Sequence, residues 1–267
     1  MNAQDLRLRV QNLSIDFGGL KAVSDFCCEL YHGELVGLIG PNGAGKTTVF
    51  NMLSGVYTPT NGEIEFRDRK GNTHLAGKLD PAKLNRIGIA RTFQNIRLFS
   101  NLTVEDNIRI ALHAGRIANP IDVLFRLKRF RVDEERMVTQ AEELLSLFRI
   151  GKKKNELARN LPYGEQRKLE IARALASNPC LLLLDEPAAG MNPQETEELM
   201  KLICFIKKEF HLTILLIEHD MRLVMGICER LMVLDYGRTI AAGLPEDIRK
   251  DPAVIKAYLG SEALVNG

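Results

Sequence analysis

An α/β fold interrupted by a helical insertion is the architecture this 267-residue sequence predicts, and three observations carry it. The first is "ELVGLIGPNGAGKTT", where a buried-strand pattern runs directly into a glycine-rich loop and leaves it as a helix. The second is the β/α alternation of the last third. Strand "CLLLLDEP", a helix from Pro193 to Phe210, strand "LTILLIEH", another helix and strand "RLMVLDYG" follow one another as a parallel sheet covered on both faces requires. The third is a change of period from about Gln94 to Asn178, where "LTVEDNIRIAL", "DEERMVTQAEELLSLFRI" and "GEQRKLEIARALA" all carry helical spacing.

Taken in order, residues 6–39 read as short strands with turns at Gly18-Gly19 and His32-Gly33, and a helix follows from Thr47. "NGEIEFRDRKGNTHLA" opens with an Asn-Gly turn and an alternating strand, so the first ~75 residues read as strands around one loop–helix unit. In the helical segment Thr103 is a candidate N-cap. The Pro193 helix is signalled by Asn192 as N-cap, proline at the first helical position and Glu195 at the third, with Leu199, Leu202, Ile203, Ile206 and Phe210 on one face. The expected organisation is one domain over 6–243, with a core of 6–93 and 179–243 and a helical subdomain at about 94–178, followed by a segment of 244–267. No internal repeat or low-complexity segment is visible.

With 45% hydrophobic and 26% charged residues the chain has ordinary globular composition and enough length to bury a large core. A formal net charge of +2 gives no strong single-sign field, so a nucleic-acid partner is not expected. Cys27, Cys28, Cys180, Cys204 and Cys228 form neither a C-x-x-C pair nor a ligand cluster and read as buried free thiols of a reducing compartment. The N-terminus alternates like a strand and lacks the apolar core of a signal peptide, so secretion is not expected. "CLLLL" and "LTILLI" are far shorter than the roughly 20 residues of a membrane-spanning helix.

"GPNGAGKT" fits G-x-x-x-x-G-K-[ST] between a strand and a helix, the context in which the pattern has physical meaning. Gly40, Gly43 and Gly45, with Pro41, Asn42 and Ala44 between them, let successive N–H groups and the positive end of the next helix face a phosphate. Lys46 is expected to reach the β- and γ-phosphates and Thr47, beside Thr48, to ligate Mg²⁺. "CLLLLDEP" supplies a second metal ligand in Asp185, acting through water, and in Glu186 a residue to polarise the attacking water. Gln94, in "RTFQNIRLF", stands where the strand-rich part meets the helical part and is a candidate for Mg²⁺ or water. His219, ending "LTILLIEH", reads either as a surface histidine or as a hydrogen-bond partner of a γ-phosphate. A guanine-reading Asn-Lys-x-Asp is not found; the nearest string, "GKLD" at 77–80, has the wrong first residue and the wrong location.

This ordered set resembles the ATP-binding cassette (ABC) family of ATPases from Leu6 to about Gly243. The resemblance implies a P-loop NTPase core of the ABC ATPase kind, with an antiparallel β subdomain and an inserted helical subdomain, and ATP and Mg²⁺ as cofactors. It makes Phe17, in "FGGLKAV", the aromatic that stacks on adenine and His219 the switch histidine. "LPYGEQR" resembles the family signature Leu-Ser-Gly-Gly-Gln, and "AGMN" occupies the loop where Ser-Ala-Leu-Asp is usual. In that family two cassettes face each other head to tail, so Pro162, Tyr163, Gly164 and Glu165 would close over the ATP of the opposite cassette. Pro162 stands where a serine would touch the γ-phosphate and Tyr163 replaces a glycine. Either this chain is one of an unequal pair whose partner carries the fuller signature, or the proline pre-shapes the turn.

"NLPYGEQRKLEIARALA", "LDEPAAGMNPQET" and "LPEDIRKDPAVIKAYLG" resemble, more narrowly, the ATPases of bacterial high-affinity branched-chain amino-acid importers. That likeness implies a C-terminal helical extension over 244–267 and a peripheral subunit at the cytoplasmic face of the inner membrane. Its partners would be a second, non-identical ABC ATPase, two integral membrane permease subunits and, indirectly, a periplasmic amino-acid-binding protein. The alternatives are an ABC ATPase for another substrate, such as lipopolysaccharide export, and a soluble non-transport cassette ATPase. Over 111–136, Arg126, Lys128, Arg129 and Arg131 alternate with Leu124, Phe125, Leu127 and Phe130, either a membrane-facing surface or a solvated helical face. Phe99, close after Gln94, is the better docking candidate.

Overall fold

In the computed structural model, residues 6–114 and 128–265 are described. The described residues form two compact units, one holding those up to Gln94 and from Cys180 onward, the other those of 95–179.

The first unit begins with β1 (Leu6–Phe17), β2 (Leu20–Tyr31) and β3 (Leu35–Ile39), then α1 (Lys46–Leu53), β4 (Asn61–Arg67), β5 (Thr73–Leu75), α2 (Pro81–Ile87) and β6 (Ile89–Arg91). The second unit contains α3 (Val104–Ala114), α4 (Lys128–Leu147) and α5 (Tyr163–Ala176). The chain returns to the first with β7 (Leu181–Asp185), α6 (Pro193–Glu209), β8 (Thr213–Ile217), α7 (Met221–Ile227), β9 (Arg230–Asp235), β10 (Arg238–Gly243), α8 (Pro245–Ile248) and α9 (Pro252–Val265).

β2-β1-β4-β5 make an antiparallel sheet. The order β10-β9-β3-β8-β7-β6 makes the second sheet, parallel except for β10, which runs antiparallel to β9. β3, β7 and β8 are buried at every position, which explains their unbroken apolar runs. One apolar core joins the two sheets: Phe26 and Phe66 from the antiparallel sheet pack with Leu38, Leu183 and Ile217 from the parallel one and with Val49 and Phe50 of α1.

The α/β class and the strand–loop–helix order agree with the sequence reading, whereas several local expectations need correction. The first two strands are twelve residues each, not short, because register shifts along their pairing let a long twisted ribbon persist. Asn61-Gly62 is no hairpin turn but the start of β4. Gly62 holds φ of 93° where a Cβ would stand 2.5 Å from the Asn12 carbonyl oxygen, so the glycine serves a close backbone approach. α1 starts at Lys46, one residue earlier than expected. β5, α2, β6 and β10 carry too few residues or too weak a period to be read from sequence. Cys28, Cys180 and Cys228 are buried, with burial pushing the Cys28 and Cys228 thiols up to about 12, but Cys27 is exposed.

Helix signals fare better. Asn192 accepts the Glu195 N–H at 3.0 Å while the Glu195 carboxylate accepts the Asn192 N–H at 3.0 Å, a complete capping box. Leu199, Ile203 and Ile206 are buried, and Leu202 and Phe210 half-buried. In the second unit the Thr103 hydroxyl accepts the Asp106 N–H at 3.0 Å, as an N-cap does. The basic and apolar side chains of 124–131 lie outside the described residues. No helix among the described residues is long and apolar enough to cross a membrane.

Candidate active site

Strand register decides which of the sequence-selected residues share an edge. Leu38 pairs with Ile217, and Ile217 with Asp185, so one line crosses β3, β8 and β7 at the same height. On that line lies Asp185, and just beyond it, at the carboxyl ends of three adjacent parallel strands, lie Gly40 with its loop, His219 and Glu186. This is the edge where open α/β sheets bind ligands.

The loop's shape comes from its glycines. Gly40, Gly43 and Gly45 all have positive φ, 149°, 80° and 100°. A Cβ on Gly40 would lie 2.0 Å from the Leu234 carbonyl oxygen, so the loop can start only with glycine. At its far end the Gly237 N–H donates to the Ala44 carbonyl at 2.9 Å, tying the loop to the β9–β10 turn. Pro41 and Ala44 are buried, Asn42, Gly43 and Thr47 exposed, and Thr48 half-buried. Lys46 is buried and its Nζ donates to the Gly40 and Pro41 carbonyls at 2.7 and 2.8 Å. Burial pulls its ammonium below the usual lysine value, with Glu186 and Asp185 acting in the opposite sense.

Asp185 is buried and ion-paired to Arg91, Nη2 to Oδ2 at 2.7 Å. Arg91 Nη1 donates to Asn51 Oδ1 at 2.7 Å and Ser54 Oγ at 2.8 Å on and just after α1, and its guanidinium lies 4.9 Å from the Phe93 ring centre and 5.6 Å from that of Phe50. Strand end and phosphate-loop helix are thus cross-linked by one side chain that no motif announces. Glu186 adopts φ of 45°, a left-handed conformation costing a non-glycine residue about 1–3 kcal/mol. Its Oε2 accepts a hydrogen bond from Gln94 Nε2 at 2.8 Å and lies 3.9 Å from Nδ1 of the largely exposed His219. Glu186 therefore stands between Gln94 and His219.

Phe17 is 44% exposed, and its ring meets that of Tyr57 edge to face with centroids 5.3 Å apart. Tyr57 carried no sequence signal beyond being an aromatic in a loop.

Pro162, Tyr163, Gly164 and Glu165 belong to the second unit. Pro162 is the N-cap of α5, with no side-chain hydrogen bond, and its carbonyl accepts the N–H groups of Glu165 and Gln166 at 3.0 and 2.9 Å. Its ring fixes a compatible φ of −54°. Tyr163 is 44% exposed and its hydroxyl lies 3.3 Å from Arg167 Nη2. Gly164 is buried. Glu165 receives Lys153 Nζ at 2.6 Å, a bond that raises the lysine's pKa. Lys153 and Arg91 were missed from sequence, because each acts through a partner well separated from it in the chain.

Comparison with known proteins accords with this geometry. The family model described as ABC transporter matches residues 23–189, and that described as branched-chain amino acid ATP-binding cassette transporter matches 238–263. The high-affinity branched-chain amino acid transport ATP-binding protein LivG of Escherichia coli (strain K12) is 47% identical over 95% of this chain and 97% of its own length. BraF of Pseudomonas aeruginosa, described in the same words, is 45% identical over the same shares. Haemophilus influenzae LptB, a lipopolysaccharide export ATP-binding protein, is 32% identical over 96% of this chain and 98% of its own. The crystal structure of the ADP conformation of MJ1267, an ATP-binding cassette of an ABC transporter, superposes with a TM-score of 0.81 at 30% identity over 96% of this chain and 99% of that one. With a phosphate loop, an acid pair and a histidine on one sheet edge, and these matches along nearly its whole length, the chain belongs to the ABC transporter family as one of its ATP-hydrolysing cassettes.

Proposed function

We propose that this chain hydrolyses ATP at the edge formed by Gly40–Thr48, Asp185, Glu186, Gln94 and His219, and that hydrolysis drives uptake of branched-chain amino acids through separate membrane subunits. The observation that carries the chemical part is the Leu38–Ile217–Asp185 register, which supports one site rather than scattered motifs. The transported class rests on the likeness to LivG and BraF and on the match at 238–263.

On this reading Phe17 stacks on adenine, and the loop N–H groups with the positive end of α1 receive the phosphates. Lys46 exchanges its two carbonyl partners for phosphate oxygens. Glu186, steadied by Gln94, orients the attacking water, and His219 donates to the γ-phosphate. The donor set of Thr47 hydroxyl, Asp185 carboxylate and Gln94 amide oxygen is all hard oxygen, and among the described residues no cluster of three or more His, Cys, Asp or Glu competes for a softer metal. It suits Mg²⁺, which would neutralise charge on the phosphate oxygens. Pro162, Tyr163, Gly164 and Glu165 serve the ATP of a second, non-identical cassette. Two permease subunits and a periplasmic amino-acid-binding protein complete the assembly, with this chain peripheral at the cytoplasmic face.

Two measurements test this. Glu186→Gln is expected to lower turnover about 100-fold with ATP binding retained, and Lys46→Ala to lose both. In vesicles carrying the membrane subunits, leucine-loaded receptor is expected to raise ATPase; no response to leucine, isoleucine or valine receptors would remove the substrate assignment.

A further inference from the structure

Glu218 is a buried acid that the mechanism above leaves without a task. It stands between the last residue of β8 and His219, and its side chain is 1% exposed. Its Oε1 accepts the Ala188 N–H at 2.8 Å. Its Oε2 accepts the His219 N–H at 3.0 Å and, more weakly, the Asp220 N–H at 3.4 Å. Ala188 lies two residues after Glu186, in a turn that the Ala189 N–H closes on the Glu186 carbonyl at 3.2 Å. One carboxylate therefore clasps the main chain of two loops, the one that follows the water-orienting glutamate and the one that carries the histidine.

A buried carboxylate is expensive unless strong donors compensate it. Here they are main-chain N–H groups from both loops, and the His219 imidazole stands close by, its Nδ1 3.8 Å from Glu218 Oε2 and 3.9 Å from Glu186 Oε2. An apolar residue at this depth would take the acceptor away from the Ala188 and His219 N–H groups. What the carboxylate adds is a fixed spacing between the two loops.

We infer that Glu218 is a positioning residue for ATP hydrolysis: it sets the separation of the Glu186 and His219 loops, so that both side chains meet the γ-phosphate together. The inference rests on the roles given to Glu186 and His219 above.

The test is made in the full-length chain. Glu218→Gln keeps the size, but its amide end turns N–H donors toward N–H donors, so one arm of the clasp opens whichever way the amide lies. Turnover is expected to fall about tenfold while the Kd for a fluorescent ATP analogue changes less than about twofold, because the clasp ends on Ala188, His219 and Asp220 and not on the phosphate loop. In a His219→Ala background, read by single-turnover hydrolysis, adding Glu218→Gln is expected to lower the rate clearly less than the tenfold seen with His219 present, since the share of its effect that passes through the histidine is already gone. Full additivity, or a loss of binding and melting temperature in step with turnover, would overturn the inference. If Glu218→Gln does not fold, Glu218→Asp keeps the charge and shortens the reach: about tenfold lower turnover with binding retained supports the clasp, and wild-type turnover overturns it. Intact turnover in Glu186→Gln and His219→Ala would overturn both the inference and the reading of the site. Wild-type behaviour of Glu218→Gln beside two disabled controls would overturn the inference alone.

Discussion

Asp185 shows how a single neighbour changes the meaning of a motif residue. Paired with Arg91 in a nearly dry setting, it has one oxygen committed to the guanidinium, and the same guanidinium grips Asn51 and Ser54. Removing Arg91 leaves a buried carboxylate uncompensated. Arg91→Ala is expected to cost about 3–5 kcal/mol, measured by urea unfolding, and to raise the Mg²⁺ concentration needed for nucleotide binding. Arg91→Lys keeps the charge but loses the fork, so an intermediate loss is expected. Wild-type stability in Arg91→Ala would show that the pair carries no weight. Nothing near Arg91 in the sequence announces this: it lies 94 positions from Asp185, and only the β6–β7 pairing brings them together.

Among the elements, the β4–β5 hairpin has the clearest electrostatic signature. Burial alone would push the Asp68 carboxyl up, but hydrogen bonds from His74, from the Asn72 side chain and from the N–H groups of Asn72 and Lys70 outweigh it and hold the group well below the usual carboxylate range. A carboxyl depressed in the folded state contributes stability above its unfolded value of 3.8, and that contribution is lost as pH falls toward the folded value. Urea midpoints are therefore expected to drop between pH 5 and pH 3. Asp68→Asn should lose about 2 kcal/mol at pH 7 and flatten that slope; an unchanged slope would place the acid sensitivity elsewhere. The Pro193 helix was legible to its cap because capping is local chemistry. Gly62 was misread because its reason, the Asn12 carbonyl, belongs to another strand.

At the scale of the whole molecule, the assembly question turns on Pro162. α5 begins with a residue that offers a carbonyl to the helix and no hydroxyl to a ligand. Pro162→Ser should add a donor worth about 1.5–3 kcal/mol to a phosphate, so if this chain closes over the ATP of a second cassette as proposed, ATPase with that cassette is expected to rise; unchanged turnover, alone and with it, would make the proline a turn-former only. Sequence by itself determined the α/β class, the phosphate loop with its acid pair, and the capped helices, because each is written in contiguous residues whose spacing is set by backbone geometry. Only the tertiary structure decided that Gly40, His219 and Asp185 share one edge, that Arg91 answers Asp185, and that Glu218 ties two loops. Those facts depend on strand register and on main-chain partners far apart in the chain, which no local pattern encodes.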